Sequence, residues 1–254
     1  MTITILGTGT SNGVPQLGCR CRTCRSEDPR DKRLRCSSLI ESENGTRVLI
    51  DCGPDFRQQM MPFDSVHLDA ILITHEHYDH VGGLDDLRPI QLFQMNVYAE
   101  DICAAHLRER LPYCFTPKEK RYPGVPSINL EHIEPHVPVK VNDIEIMPFR
   151  VMHGKLPILG FRIGGLAYIT DMSTLPETEW KYVEGAELLV VNALHHRYHP
   201  AHQTLEEAIE FAKKVNAKET YFIHMTHFLL PHAEEEAQLP EHMHIAYDRL
   251  KLEF

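Results

Sequence analysis

The stretch His75-Glu76-His77-Tyr78-Asp79-His80 follows directly on the apolar run Ala70-Ile71-Leu72-Ile73-Thr74. Four metal-binding side chains thus crowd into six residues at the end of an expected strand. Imidazole and carboxylate together suit Zn²⁺, Mn²⁺ or Fe²⁺. Alternate residues of a tight turn point to different sides, so one segment can serve two neighbouring ions. A solvated polar turn at a helix start is the plainer alternative, but it gives no reason for this density of ligands.

Two ions about 3.5–4 Å apart need roughly six or seven ligands and usually a bridging carboxylate. Later strand ends offer them. His153 follows Phe149-Arg150-Val151, Asp171 follows Ala167-Tyr168-Ile169-Thr170, and His224 follows Tyr221-Phe222-Ile223. Each is a ligand type just beyond an apolar run, where a sheet edge would present it.

At 254 residues and 43% hydrophobic content the chain can bury a large core, and its length suits one domain over residues 1–254. Strand-like runs of Ile, Val, Leu and Phe recur: Ile3-Leu6, Ser38-Glu41, Arg47-Asp51, Ala70-Thr74, Asn96-Tyr98, Val139-Val141, Ile144-Arg150, Gly160-Ile163, Ala167-Thr170, Leu188-Asn192 and Glu219-Ile223. The clearest helix is Thr204-Asn216, where Leu205, Ala208, Ile209, Ala212 and Val215 keep helical spacing and Thr204 with Glu207 suits a capping box. Shorter helices are expected at Pro54-Met61, after Gly82, at Asp101-Arg110 and at Glu177-Tyr182. Strands in antiparallel succession, interrupted by helices, predict an α/β protein of α+β type: two packed sheets with helices outside. The acidic run Glu234-Glu235-Glu236 reads as a solvated helix face.

The formal charge of −10 disfavours nucleic-acid and anionic-membrane partners. It leaves room for a small anionic substrate, because bound divalent ions reverse the local field. No run approaches the ~20 apolar residues of a membrane span. Met1-Thr-Ile-Thr-Ile-Leu-Gly reads as a first strand without a basic leader, which predicts a cytoplasmic protein. Seven cysteines, three of them in Cys19-Arg-Cys21-Arg-Thr-Cys24, favour metal ligation in a reducing compartment over disulfides. Three thiolates can hold Zn²⁺, but a closed structural site needs a fourth ligand, and Cys36 is the local candidate.

These histidine and aspartate positions resemble the metallo-β-lactamase-fold hydrolases over essentially the whole chain. The resemblance implies an αββα sandwich of two packed mixed sheets with a dinuclear site at one edge. By it, His75, His77 and His153 would hold one ion, Asp79, His80 and His224 the other, and Asp171 would bridge. Asp79 would also count among the catalytic residues. Asp51, closing Val48-Leu49-Ile50-Asp51-Cys52-Gly53, matches the family's early aspartate, which supports the ligands from behind. A histidine at position 77 departs from the carboxylate of the flavodiiron proteins, so hydrolysis fits better than oxygen reduction.

Further segments narrow the resemblance: the cysteine cluster, His153-Gly154-Lys155-Leu156, Thr170-Asp171-Met172-Ser173-Thr174-Leu175-Pro176-Glu177 and His224-Met225-Thr226-His227. Together they look like the cyclic-phosphate phosphodiesterases of the carbon–phosphorus lyase pathway and their relatives. In that group three cysteines and a histidine hold a structural zinc, which would make His227 the partner of Cys19, Cys21 and Cys24. His202, in His195-His196-Arg197-Tyr198-His199-Pro200-Ala201-His202, matches the general acid; a helix-entry histidine is the plain alternative.

The expectation is a phosphodiesterase with two catalytic divalent ions, Zn²⁺ or Mn²⁺, and one structural Zn²⁺. It would use a metal-activated water to hydrolyse a small linear or cyclic phosphate ester. A lactone or thioester hydrolase and a noncatalytic metal-binding protein are the competing readings. A homodimer is compatible with the sequence.

Overall fold

The computed structural model describes residues 1–64, 66–90 and 94–254. Among the described residues, fourteen strands run in chain order as β1 (Thr2–Gly7), β2 (Ser37–Glu41), β3 (Arg47–Ile50), β4 (Ala70–Leu72), β5 (Met95–Ala99), β6 (Ile128–His132), β7 (Val139–Val141), β8 (Ile144–His153), β9 (Leu156–Ile163), β10 (Leu166–Tyr168), β11 (Leu188–Asn192), β12 (Glu219–Ile223), β13 (Met243–Ile245) and β14 (Leu250–Glu253). The helices are α1 (Arg22–Arg25), α2 (Phe56–Met60), α3 (Tyr78–Val81), α4 (Asp101–Arg110), α5 (Leu205–Val215) and α6 (His232–Glu236).

The strands form two seven-stranded sheets, ordered β14-β1-β2-β3-β4-β5-β6 and β13-β12-β11-β10-β9-β8-β7. Antiparallel succession holds only for half of each sheet. From β3 to β6, and again from β10 to β13, neighbours pair in parallel. Parallel strands need a crossover, and helical segments supply it between these strands. Both sheets are therefore mixed.

Alternation along the strands divides the core. Ile3, Ile5, Ile40, Val48, Ile50 and Leu72 face the other sheet and meet Phe161, Tyr168, Leu188 and Val190. Leu39, Leu49, Ile71 and Val97 face outward onto Phe56, Met60 and the α4 residues Cys103, Ala104 and Leu107. On the second sheet Leu189, Val191 and Phe222 face outward onto Leu205, Ala208, Phe211 and Ala212 of α5. Strands buried on both faces need helices on both outer sides, and the αββα sandwich is the result.

The helix predicted at 204–216 is present, with both reciprocal bonds of the capping box between Thr204 and Glu207. Several other expectations need correction. β8 runs on to His153 and β9 starts at Leu156, so the two form a long hairpin rather than short separated strands. Residues 177–182 wind as a 3-10 helix. β6, β13 and β14 were not legible: His132, His244, Lys251 and Glu253 interrupt their apolar character. The acidic run does lie on a helix, but Glu235 is only 2% exposed, because its carboxylate caps the Leu230 amide and pairs with His196.

Candidate metal centre

The site sits at the ends of the parallel strands, where the chain must leave each sheet. Asp51 follows β3, His75 follows β4, Asp171 follows β10 and His224 follows β12. Asp51, Asp171 and His224 have φ values of 60°, 56° and 58°, in the left-handed region that non-glycine residues rarely adopt. Such conformations cluster at functional sites because surrounding structure must enforce them. Gly53 shows how tight the packing is: a Cβ there would lie 2.0 Å from the Asp79 carbonyl oxygen.

Asp51 is fully buried and orders two imidazoles at once. His80 Nδ1 donates to its Oδ2 over 2.7 Å. Thr74 donates its amide to Oδ1 and its hydroxyl to Oδ2, each over 2.8 Å. A hydroxyl has one proton, so Thr74 Oγ1 can only accept from His75 Nδ1, 3.0 Å away. Both rings are thereby turned to offer Nε2 to the centre. His153 Nδ1 donates to the Ala201 carbonyl over 2.7 Å, with the same consequence for its ring. Fixing the tautomer through the far nitrogen is how proteins prepare histidine for a metal.

The donor atoms converge in overlapping sets, each spanning no more than 4.8 Å: His75, His77 and His153; Asp79, His80 and His224; and His75, His80 and Asp171. Asp171 is central, with Oδ2 3.1 Å from His80 Nε2 and Oδ1 3.0 Å from His224 Nε2. His75 Nε2 and His77 Nδ1 are 3.0 Å apart. His80 Nε2 is buried without a hydrogen bond, and so are both nitrogens of His224. Burial opposes charge on His80, but the carboxylates of Asp171, Asp51 and Asp79 overcome it and hold the ring well above its usual pKa. The cage therefore demands positive charge, which metal coordination at Nε2 supplies in place of a proton. The residues present fit two divalent ions, with Asp171 between the two ligand groups.

The sulfur cluster is separate. Cys19, Cys21, Cys24 and His227 offer four donor atoms within 4.8 Å. His227 Nδ1 lies 3.3 Å from Cys19 Sγ and 3.4 Å from Cys21 Sγ. A tetrahedral zinc with Zn–S of about 2.3 Å and Zn–N of about 2.0 Å requires S···N edges of about 3.5 Å, close to these. Burial pushes the Cys24 thiol up to about 12, so a cation is needed to hold it as thiolate. Cys36 is no competitor: it is buried in the inter-sheet core, where Asp171 and His80 act on it. The cluster joins the segment before β2 to the loop after His224, and the Thr23 hydroxyl bond to the Leu229 carbonyl, 2.7 Å, tightens the same junction.

His202 stands at the rim, stacked on His224 with centroids 5.0 Å apart and tilted on His153 at 4.5 Å. Its Nδ1 is 3.5 Å from Asp171 Oδ1. His202, His153 and Asp171 also form a donor set of their own, so geometry alone allows His202 to touch an ion. Burial and neighbouring His224 push its pKa down to about 2.

Two contributors escaped the sequence reading. Thr74 was seen only as a strand end, although a hydroxyl between Asp51 and His75 relays the tautomer. Asn192, fully buried, accepts from the Met172 amide over 2.6 Å and donates to the Met172 carbonyl over 2.9 Å, clamping the turn that carries Asp171. An asparagine closing the otherwise apolar run Leu188-Leu189-Val190-Val191 was the available signal, since a buried amide must be satisfied.

A profile of the beta-lactamase superfamily domain matches residues 46–225. Among curated proteins, one called octanoyltransferase, from Porphyromonas gingivalis (strain ATCC BAA-308 / W83), is 46% identical over 253 residues, which is 99% of this chain and 51% of that protein. The chain thus spans about half the length of that relative. Among solved structures, a diphosphatase from the PhnP family superposes with a TM-score of 0.92 at 38% identity, covering 100% of this chain and 96% of that one. Zn²⁺-bound PqqB from Methylobacterium extorquens superposes with a TM-score of 0.82 at 20% identity, covering 100% of both chains, a similarity of fold.

Proposed function

The chain belongs to the beta-lactamase superfamily and has the metallo-β-lactamase fold, and from that premise we propose that it is a metal-dependent hydrolase, a dinuclear phosphodiesterase acting on a small phosphate ester. The observation that carries this reading is the cage around Asp171, in which His75, His80 and His153 have their far-side nitrogens held by hydrogen bonds and the Nε2 atoms of His80 and His224 face the Asp171 carboxylate. His75, His77 and His153 would hold one ion, Asp79, His80 and His224 the other, with Asp171 shared. Two divalent ions there would lower the pKa of a water and neutralise charge on the substrate oxygens. Asp51 and Thr74 keep the rings in register. His202 faces Asp171 through Nδ1, which leaves Nε2 for the substrate.

His202, 3.5 Å from Asp171 through Nδ1, would serve as the general acid. It would give its proton to the leaving oxygen as a water oxygen bonds to phosphorus and the P–O bond to the leaving group breaks with its electron pair on that oxygen. The cysteine cluster would carry a zinc that stiffens the loop beyond His224. The 38% identical structure, itself called a diphosphatase, supports phosphorus chemistry. Octanoyl transfer is not carried over, because that name belongs to a protein twice this length.

The test is turnover by protein loaded with Zn²⁺ or Mn²⁺ on bis(p-nitrophenyl) phosphate, beside a lactone and a thioester of similar size. Turnover of the diester alone, lost on chelation, is expected. Turnover confined to the carboxylic substrates would replace this reading with acyl-ester hydrolysis.

A further inference from the structure

A hollow of about 500 Å³, within the usual range for ligand sites, opens between the loop after β1, the segment before β2 and the turn from β13 to β14. None of the candidate metal ligands lines it, so it is separate from both the caged carboxylates and the cysteine cluster. Arg30, Lys32, Arg33 and Arg249 bring four cations to it, in a chain whose formal charge is −10.

Arg33 is 5% exposed and anchors the floor. Its Nη1 donates to the Ala246 carbonyl over 2.6 Å and to Thr8 Oγ1 over 3.0 Å. The Thr8 hydroxyl donates in turn to Asp248 Oδ1 over 2.7 Å, and the Leu34 amide donates to Asp248 Oδ2 over 2.7 Å. Asp248, the one carboxylate in the lining, is thereby used to hold the hollow in shape. Arg33 Nε, by contrast, has no hydrogen bond among the described residues, although a buried donor is costly to leave unpaired.

The neighbouring carboxylates answer only two of the cations. Asp28 forks onto Arg30, accepting from Nε over 3.1 Å and from Nη2 over 2.7 Å, while Asp248 and Asp31 act on Arg33. Lys32 donates to the Ser26 carbonyl over 2.5 Å and, among the described residues, pairs with no carboxylate. Arg249 is exposed, its backbone fixed at φ 73° by the bond from its amide to the Ile5 carbonyl. Its guanidinium and the Tyr247 hydroxyl, both in the lining, have no hydrogen bond among the described residues. Solvated surface cations are the plain alternative, but they give no reason for a buried guanidinium with a spare N–H in the same hollow.

A phosphomonoester carries about −1.5 to −2 charges at pH 7 and three acceptor oxygens, enough to answer Lys32, Arg249 and the Arg33 Nε–H together. A monocarboxylate supplies about half that charge. We propose that this hollow binds the phosphomonoester of a small organic molecule, its phosphate held by Lys32, Arg33 and Arg249 and its organic body against Pro15, Pro29 and Tyr247. The site does not depend on which reaction the metal centre performs.

Calorimetry on metal-loaded protein tests it with ribose 5-phosphate as the probe, beside ribose and malate. Ribose 5-phosphate should bind, malate should bind more weakly and ribose should not bind. Metal ions also attract phosphate, so variants at the exposed positions decide the location. Lys32→Ala and Arg249→Ala each remove a charge-assisted hydrogen bond and should weaken ribose 5-phosphate about 10-fold or more, at unchanged melting temperature and metal content. Arg249→Lys should recover part of the loss. Mass spectrometry supplies a second readout: saturating ribose 5-phosphate should slow acetylation of Lys32 in the wild type and leave Lys213 on α5 reacting as before. No binding to the wild type, unchanged affinity in the alanine variants, or an unprotected Lys32 would overturn the site. Malate binding as tightly as ribose 5-phosphate would overturn its assignment to phosphate.

Discussion

At the scale of single residues, the centre is governed by protons on the far sides of imidazoles. Asp51 reaches no substrate, yet it sets His80 directly and His75 through the Thr74 hydroxyl. Asp51→Asn keeps the shape but offers an N–H where an acceptor is needed. We expect metal affinity to fall roughly 10–100-fold, the usual cost of losing such a partner, measurable by competition with a chromogenic chelator. Full affinity in the folded variant would remove Asp51 from this role. His202 makes the opposite prediction. His202→Ala should keep both ions while losing about 10²–10⁴-fold on esters with poor alkoxide leaving groups and far less on nitrophenyl esters. Equal losses on both ester types would reduce His202 to positioning, and loss of an ion would make it a ligand, as its distance to Asp171 allows.

At the scale of elements, the strand ends hold the ligands and the cysteine cluster braces the loop that follows one of them. Cys21 also accepts the Cys24 amide at the start of α1, so it belongs to the architecture of that turn. Cys21→Ser is therefore expected to lower the melting temperature by several degrees while folded enzyme keeps most of its turnover. Elemental analysis should show the tightly held zinc lost from Cys21→Ser and His227→Ala, and retained in Cys36→Ala. Stable Cys21→Ser protein without turnover would place the cluster in catalysis instead. The strand ends were largely readable, because each ligand directly follows an apolar run. The fourth member of the cysteine cluster was reached only through the family resemblance, since His227 is separated from Cys24 by nearly the whole sequence and only the fold closes that distance.

At the scale of the whole molecule, residues remote in sequence also set the response to acid. His232, at the start of α6, accepts from Arg33 through Nδ1 over 3.4 Å, and its amide binds Asp31. Burial, reinforced by Arg33, pushes its pKa down to about 4. The unfolded chain takes up that proton near pH 6.5, so stability is lost as pH falls from about 6.5 towards 4, by up to ~1.4 kcal/mol per pH unit. Asp248, which burial raises to about 6, tilts the same window the other way, so the wild-type slope alone is ambiguous. His232→Asn leaves an acceptor without the titration. Urea unfolding across pH 4–7 should therefore show stability relative to wild type improving steadily as pH falls, and a constant difference would refute the assignment.

The sequence by itself pointed to two packed sheets with helices outside and, through the family resemblance, to the candidate ligand set. Both rest on local signals: short apolar runs bounded by turn residues, as along β1–β4, and chelating side chains spaced within one turn or placed at a strand end. Only the tertiary structure decided the parallel halves of the sheets, the relay from Asp51 through Thr74, the exclusion of Cys36 from the zinc site and the hollow lined by Arg33. Each depends on backbone segments far apart in the chain meeting at distances of a hydrogen bond, and no local spacing encodes that approach.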